Sequence, residues 1–126
     1  MTCLLDTHFV IWLTSNARTL RRYGWIRHYE PWVVSPISFL EIQLLTESGK
    51  LRIKNPEFTQ TFLSDTRFAV DDVPFVTLIQ KSLDLSWSRD PFDRLIAAHS
   101  LTRRLPLCTV DTIMLENHKL LVPELR

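Results

Sequence analysis

Long apolar runs, glycine and an excess of one charge are what this chain has least of. No uninterrupted apolar segment approaches the roughly 18 residues of a membrane-spanning helix. The N-terminus shows no basic stretch leading into an apolar run and a small-residue cleavage site. A cytoplasmic address with no membrane attachment is therefore expected. Only 2 of the 126 residues are glycine, and 45% are hydrophobic against 23% charged, which excludes fibrous and disordered classes. The net charge of +1 announces no nucleic-acid partner by itself. Arg18, Arg21, Arg22 and Arg27 do cluster in one segment and Arg103 and Arg104 in another, a pattern equally natural for solvated helix faces. The two cysteines, Cys3 and Cys108, each lie in a short apolar run ahead of an aspartate. Such a lone pair reads as reduced core residues rather than a disulfide or metal ligands. His8, His28, His99 and His118 show no ligand spacing, which disfavours zinc.

What is present is an alternation. A chain of this length builds one core, so a single domain spanning residues 1–126 is expected. "TCLLD", ending in Asp6, and "LPLCTVD", ending in Asp111, read as buried strands with acidic last residues, and "WVVS", "RFAVDD" and "LLVP" as further short strands. Helical patterns fill the spaces: "THFVIWL", "ARTLRRYGWIRHYE", "SPISFLEIQLLTESGK", "PEFTQTFLSD", "PFVTLIQKSLDL" and "DPFDRLIAAHSLTRR". Strands alternating with helices imply an α/β fold, a central and mostly parallel sheet covered by helices in three layers. The polar "SGKLRIKNPE" is the one plausible hinge. Trp12, Trp25, Trp32 and Trp87 read as core or partner-surface residues.

Four carboxylates stand out. In "SPISFLEIQL", Ser35 suits an N-cap, Pro36 the first helical position and Gly49 the stop. At 100° per residue Ile37, Leu40, Leu44 and Leu45 share one side, with Glu41 between them and Ser38 and Gln43 elsewhere, so the acid faces inward. Either the helix is rotated so that Glu41 lies at the margin of the stripe, or the buried carboxylate needs a compensating partner, which an arginine or a metal ion would supply. Asp6 and Asp111 end strands, and ligands of open parallel sheets bind beyond the carboxyl ends of strands. If those strands are neighbours, the two acids project into one crevice, while both also suit helix capping. In "RDPFDRLIAAHS", Asp90 reads as an N-cap ahead of Pro91. Asp93 shares its face with Ile96, Ala97 and Ser100, which would tuck it beside a strand, although an acid in the first turn also suits the helix dipole. Acids gathered without bases repel one another, and a hard divalent cation relieves that repulsion. An all-oxygen set favours Mg²⁺ or Mn²⁺, and such a site fits phosphodiester hydrolysis.

Taken together, "LLDTH", "VVSPISFLEI", "RDPFDRLIAAHS" and "LCTVD", in that order over nearly the whole chain, resemble the motifs of PIN-domain proteins, specifically the VapC-type toxins of toxin-antitoxin pairs. The resemblance implies that Asp6, Glu41, Asp93 and Asp111 are the acidic quartet that holds Mg²⁺ or Mn²⁺. It makes Thr109 the hydroxyl residue accompanying the last acid, and Asp90 an acid of one branch of the family only. It also implies ribonuclease activity, a homodimer and a small antitoxin covering the site. On that reading Asp6 and Asp93 are the principal ligands, Glu41 orients or deprotonates the attacking water, and Asp111 completes the shell.

Two rivals differ in class. A silent PIN-like module that only binds an antitoxin or RNA would lack one of the acids, and none is missing. An aspartyl-phosphate enzyme or phospho-receiver needs a second acid next to or two after the nucleophile, whereas Asp6 is followed by Thr7 and His8. Apolar residues of "LRRYGWIRHYE" and "PEFTQTFLSD" are candidates for an antitoxin groove as well as for core.

Overall fold

The computed structural model describes residues 2–54 and 56–126. Four short strands, β1 (Leu4–Leu5), β2 (Trp32–Val34), β3 (Phe68–Val70) and β4 (Leu107–Cys108), form a sheet in the order β3-β2-β1-β4. All three strand pairs are parallel, with Leu5 opposite both Val34 and Cys108. The α/β/α arrangement with a central parallel sheet thus matches the reading of the sequence.

The strands are short apolar runs because they are covered on both faces, as parallel sheets require. Leu4 and Leu5 are adjacent and fully buried, yet successive strand residues point to opposite faces. Leu5 joins Phe9, Val10, Trp32, Ile42 and Cys108 in one cluster. Leu4 joins Ile96, Ala97, Leu107 and Met114 in the other. The helices supplying these layers are α1 (Thr7–Ser15), α2 (Ile37–Glu47), α3 (Glu57–Leu63), α4 (Phe75–Ser82), α5 (Pro91–Arg103) and α6 (Thr112–Asn117). Cys3 and Cys108 are both buried and free. Trp32 is fully buried and donates its indole N–H to the Ile26 carbonyl at 2.8 Å, while Trp12, Trp25 and Trp87 are half-buried. His99 and His118 lie in the interior, with His8 and His28 exposed.

The elements depart from the sequence reading in four places. Arg18–Tyr29 forms 3-10 turns rather than an α-helix, broken by non-helical Tyr23. Tyr23 stacks on Trp12 and meets Phe9 and Trp25 edge-on, contacts that override the helical pattern around Gly24. "LLVP" contributes one isolated bridge, Leu121 to Leu107, before a 3-10 turn at Pro123–Leu125. β4 stops at Cys108, so Asp111 lies beyond the strand end, as the N-cap of α6. The expected hinge "SGKLRIKNPE" includes Asn55, which lies outside the described residues.

The fourth departure is rotational. Leu40 and Leu44 are 51% and 44% exposed, and α2 instead buries Ser38 and Ile42. Small Ser38 lets α2 approach α1 closely, and the Thr7 hydroxyl donates to Ser38 Oγ at 2.9 Å. The start of α2 lies one residue later than expected: Pro36 is its N-cap with no side-chain cap, although the Ile37 N–H reaches Ser35 Oγ at 3.4 Å, while Gly49 takes a left-handed φ of 82° after the helix as expected.

α5 runs through the interior, with Ile96 to Ser100 all buried. Side chains pin it at both ends. Arg94 donates to the Ser82 carbonyl at 2.8 Å. Asp71, just beyond β3, accepts from His99 Nε2 at 2.8 Å and Arg103 Nε at 2.9 Å. The placement of Asp93 therefore depends on the packing of α5. Truncating Ile96, fully buried in the α5 layer, to alanine is expected to lower unfolding free energy by about 2–5 kcal/mol, measured by denaturant titration. A loss under about 0.5 kcal/mol would contradict this packing.

Candidate active site

Asp6 follows β1 and caps α1, and it is only 3% exposed. One residue past the end of β4, Thr109 lies beside it, and its hydroxyl donates to Asp6 Oδ2 at 2.7 Å. Asp6 Oδ1 accepts from the Thr7 N–H at 2.7 Å. Burial pushes the Asp6 carboxyl above the usual aspartate range, and these two hydrogen bonds hold it back. Thr109 thus occupies the place beside Asp6 that the sequence reading gave to Asp111. The Asp111 N–H turns back to Thr109 Oγ1 at 3.1 Å, while Asp111 Oδ1 accepts from the Met114 N–H at 3.0 Å. Asp111 nevertheless lies near enough for its charge to act on Asp6 and Asp93.

Glu41 and Asp93 come from α2 and α5. Glu41 Oε1 is buried without a hydrogen-bond partner among the described residues. No arginine pairs with it among them either; the charges acting on Glu41 include Asp6, Asp90 and His8. Burial first, then Asp6 and Asp90, raise the Glu41 carboxyl, with the Thr7 hydroxyl acting against them. Asp93 is pushed up to about 8, first by burial and then by the charges of Asp6, Asp90, Asp111 and Glu41.

The tightest grouping among the described residues is Glu41, Asp90 and Asp93, each offering one oxygen within 4.8 Å of the others. Asp90 belongs to this trio although its sequence context speaks first for capping. It does both, since Asp90 Oδ1 accepts from the Phe92 N–H at 2.8 Å and from the Asp93 N–H at 3.3 Å. Asp6 and Asp111 stand outside the trio and couple to it by charge. Thr7 and Ser38, buried and hydrogen-bonded to each other, set the spacing of α1 and α2 beside Asp6 and Glu41. Ser38 stands one helical turn before Glu41, which was the available signal for it.

A buried carboxylate oxygen with no donor, beside acids that raise one another, is a donor set short of a cation. The residues therefore fit a hard divalent ion. The site is thus a cluster of carboxylates on a parallel α/β sheet, in which Glu41, Asp90 and Asp93 could hold a metal ion.

Comparison with known proteins agrees with that class. The model of the PIN domain family matches residues 3–119, and the chain belongs to this family. PIN domains are generally nucleases. In three dimensions the chain is similar to a toxin-antitoxin complex from Klebsiella pneumoniae, at 21% identity and a TM-score of 0.63, covering 88% of each chain. At that identity the likeness is one of fold. No curated protein matches at a significant level.

The raised Asp93 carboxyl ties stability to pH. Unfolded, it titrates near 3.8, and folded near 8. Between these values the native state keeps a proton that the unfolded chain releases, so stability of the metal-free protein is expected to fall as pH rises from about 4 to about 8. Above that range Asp93→Asn is expected to raise the melting temperature of the metal-free protein, and Mg²⁺ to stabilise the unaltered chain more than the variant. Thermal melts with and without chelator measure both. A melting temperature lowered by Asp93→Asn above pH ~8 would contradict the repulsion.

Proposed function

We propose that the protein is a metal-dependent endoribonuclease that hydrolyses phosphodiester bonds in RNA as the toxin of a VapC-type toxin-antitoxin pair. The observation that carries this reading is the unpartnered Glu41 oxygen buried beside acids that raise one another, in a chain of the PIN family. A single domain, a homodimer, a small antitoxin and a cytoplasmic setting belong to the same proposal. The structural likeness to a toxin-antitoxin complex supports the antitoxin. No helix among the described residues is long and apolar enough to cross a membrane.

In this reading Glu41, Asp90 and Asp93 would hold Mg²⁺ or Mn²⁺, with Asp6 and Asp111 completing the negative surroundings. A bound divalent ion supplies an acidified water and neutralises charge on the phosphate. The chain's own residues do the remaining work. Asp6, fixed by Thr109 and the Thr7 N–H, provides a charge that does not reorient during reaction. Glu41 Oε1, without a hydrogen-bond partner among the described residues, would accept a proton from the attacking water. Asp93, raised by burial and by its acidic neighbours, would give up its proton to a bound cation, whose positive charge offsets both.

Cleavage of single-stranded RNA is expected to need added Mg²⁺ or Mn²⁺, to stop on chelation, and to resume on re-addition. Asp6→Asn, Glu41→Gln and Asp93→Asn are each expected to lower the rate by on the order of 100-fold or more. Asp111→Asn is expected to cost less, because that side chain is less buried than Asp6 and asparagine can keep its hydrogen bond from the Met114 N–H. Timed RNA cleavage, with folding checked by circular dichroism, measures all four; full activity after loss of Asp6 or Asp93 would sink the proposal.

A further inference from the structure

Beyond the C-terminal end of α1, a pocket of about 270 Å³ is lined by Asn16, Arg18, Arg21, Gly24 and Arg27, among others, and no acidic residue lines it. All three arginines are exposed. Four other arginines have partners: Arg67 pairs with Asp65, Arg103 with Asp71, and Arg94 and Arg126 donate to backbone carbonyls. Arg18, Arg21 and Arg27 have no ion pair or side-chain hydrogen bond among the described residues. Glu124 accepts the Tyr29 hydroxyl. Three guanidinium groups around one unneutralised pocket repel each other until an anion enters, and their planar forks suit the oxygens of a phosphate.

The position of the pocket says which phosphate. α1 begins at its cap Asp6 and runs nine residues, roughly 13 Å of rise. His8 and Ser15 are exposed along its solvent face, leading from the acids to the arginines. His8 stands at the acidic end, where its charge acts on Asp6 and Glu41. We infer that Arg18, Arg21 and Arg27 form a second, non-catalytic phosphate site that grips the RNA backbone beyond the bond being cut, with the strand lying along α1. The inference rests on the RNA-nuclease reading above and adds where the substrate is held. Exposed charges that contact phosphate position a strand without reading its bases, so the site sets affinity and not sequence.

The test is fluorescence anisotropy of a labelled single-stranded RNA in chelator, so that nothing is cut, over a range of salt. Arg21→Ala and Arg27→Ala are each expected to weaken binding roughly fivefold and to lower the salt slope by about 1. Arg22→Ala, on the same segment but outside the pocket lining, is expected to do neither. With Mg²⁺ restored, the two pocket variants should raise KM with kcat unchanged. Equal effects from Arg22→Ala and the pocket variants would reduce the site to diffuse charge and overturn it. So would unaltered RNA binding combined with lost binding of an acidic peptide such as polyglutamate. Arginine-dependent binding in a protein that cuts no RNA would sustain the phosphate site while the nuclease reading failed. Cleavage with arginine-independent binding and KM would do the reverse.

Discussion

Asp6 is a carboxylate almost wholly withdrawn from water, bonded to hydroxyl and amide donors and in no ion pair among the described residues. Its burial follows from the sheet: β1 lies between β2 and β4, so a residue following its last ladder position emerges in the middle of the sheet's edge. Around that point stand Glu41, Asp90, Asp93 and Asp111, and the charges of their neighbours add to burial in raising the carboxyls of Glu41 and Asp93. The stability of the fold is thus in tension with the chemistry of its edge. Electrostatic repulsion is tolerated there because the two hydrophobic clusters on either face of the sheet supply the binding between layers.

Local devices make the crowding possible. Thr109 lies beside Asp6 and donates to it, which separates Asp111 from Asp6 and hands Asp111 to the cap of α6. Ser38 and Thr7 bind one another and bring α2 against α1. Ala97 and Ala98 let α5 run through the interior, and its ends are fastened by Arg94, His99 and Arg103. The acids are consequently held by rigid elements, which is what a site needs if its charges are not to reorient during a reaction.

Much of this was legible from the residues. Alternating apolar runs and helical patterns gave the parallel three-layer fold, because strands covered on both faces leave continuous apolar runs in the sequence. Asp6 and Asp93 were visible through position, at a strand end and beside small residues on a helix. The rotation of α2 was not, since a wheel that counts Leu40 and Leu44 as core cannot know that Ser38 will be drawn to Thr7. Nor was the part played by Asp90: capping explained it fully at the level of sequence, and only the approach of α2 to the start of α5 brings Glu41 to the same spot. Strand lengths were overestimated, as at Asp111, because a turn made by Thr109 looks identical to a continuing strand. The 3-10 geometry of Arg18–Tyr29 depends on aromatic contacts with α1 that no local pattern encodes.

The central claim is that the clustered acids form one cation site. A crystal structure of the protein grown with Mn²⁺, with anomalous scattering recorded at the manganese edge, tests it most directly. The expected result is an anomalous peak among the carboxylates of Glu41, Asp90 and Asp93, with Asp6 close by. A peak elsewhere with none among these residues, or these carboxylates turned apart in the presence of saturating Mn²⁺, would contradict the account.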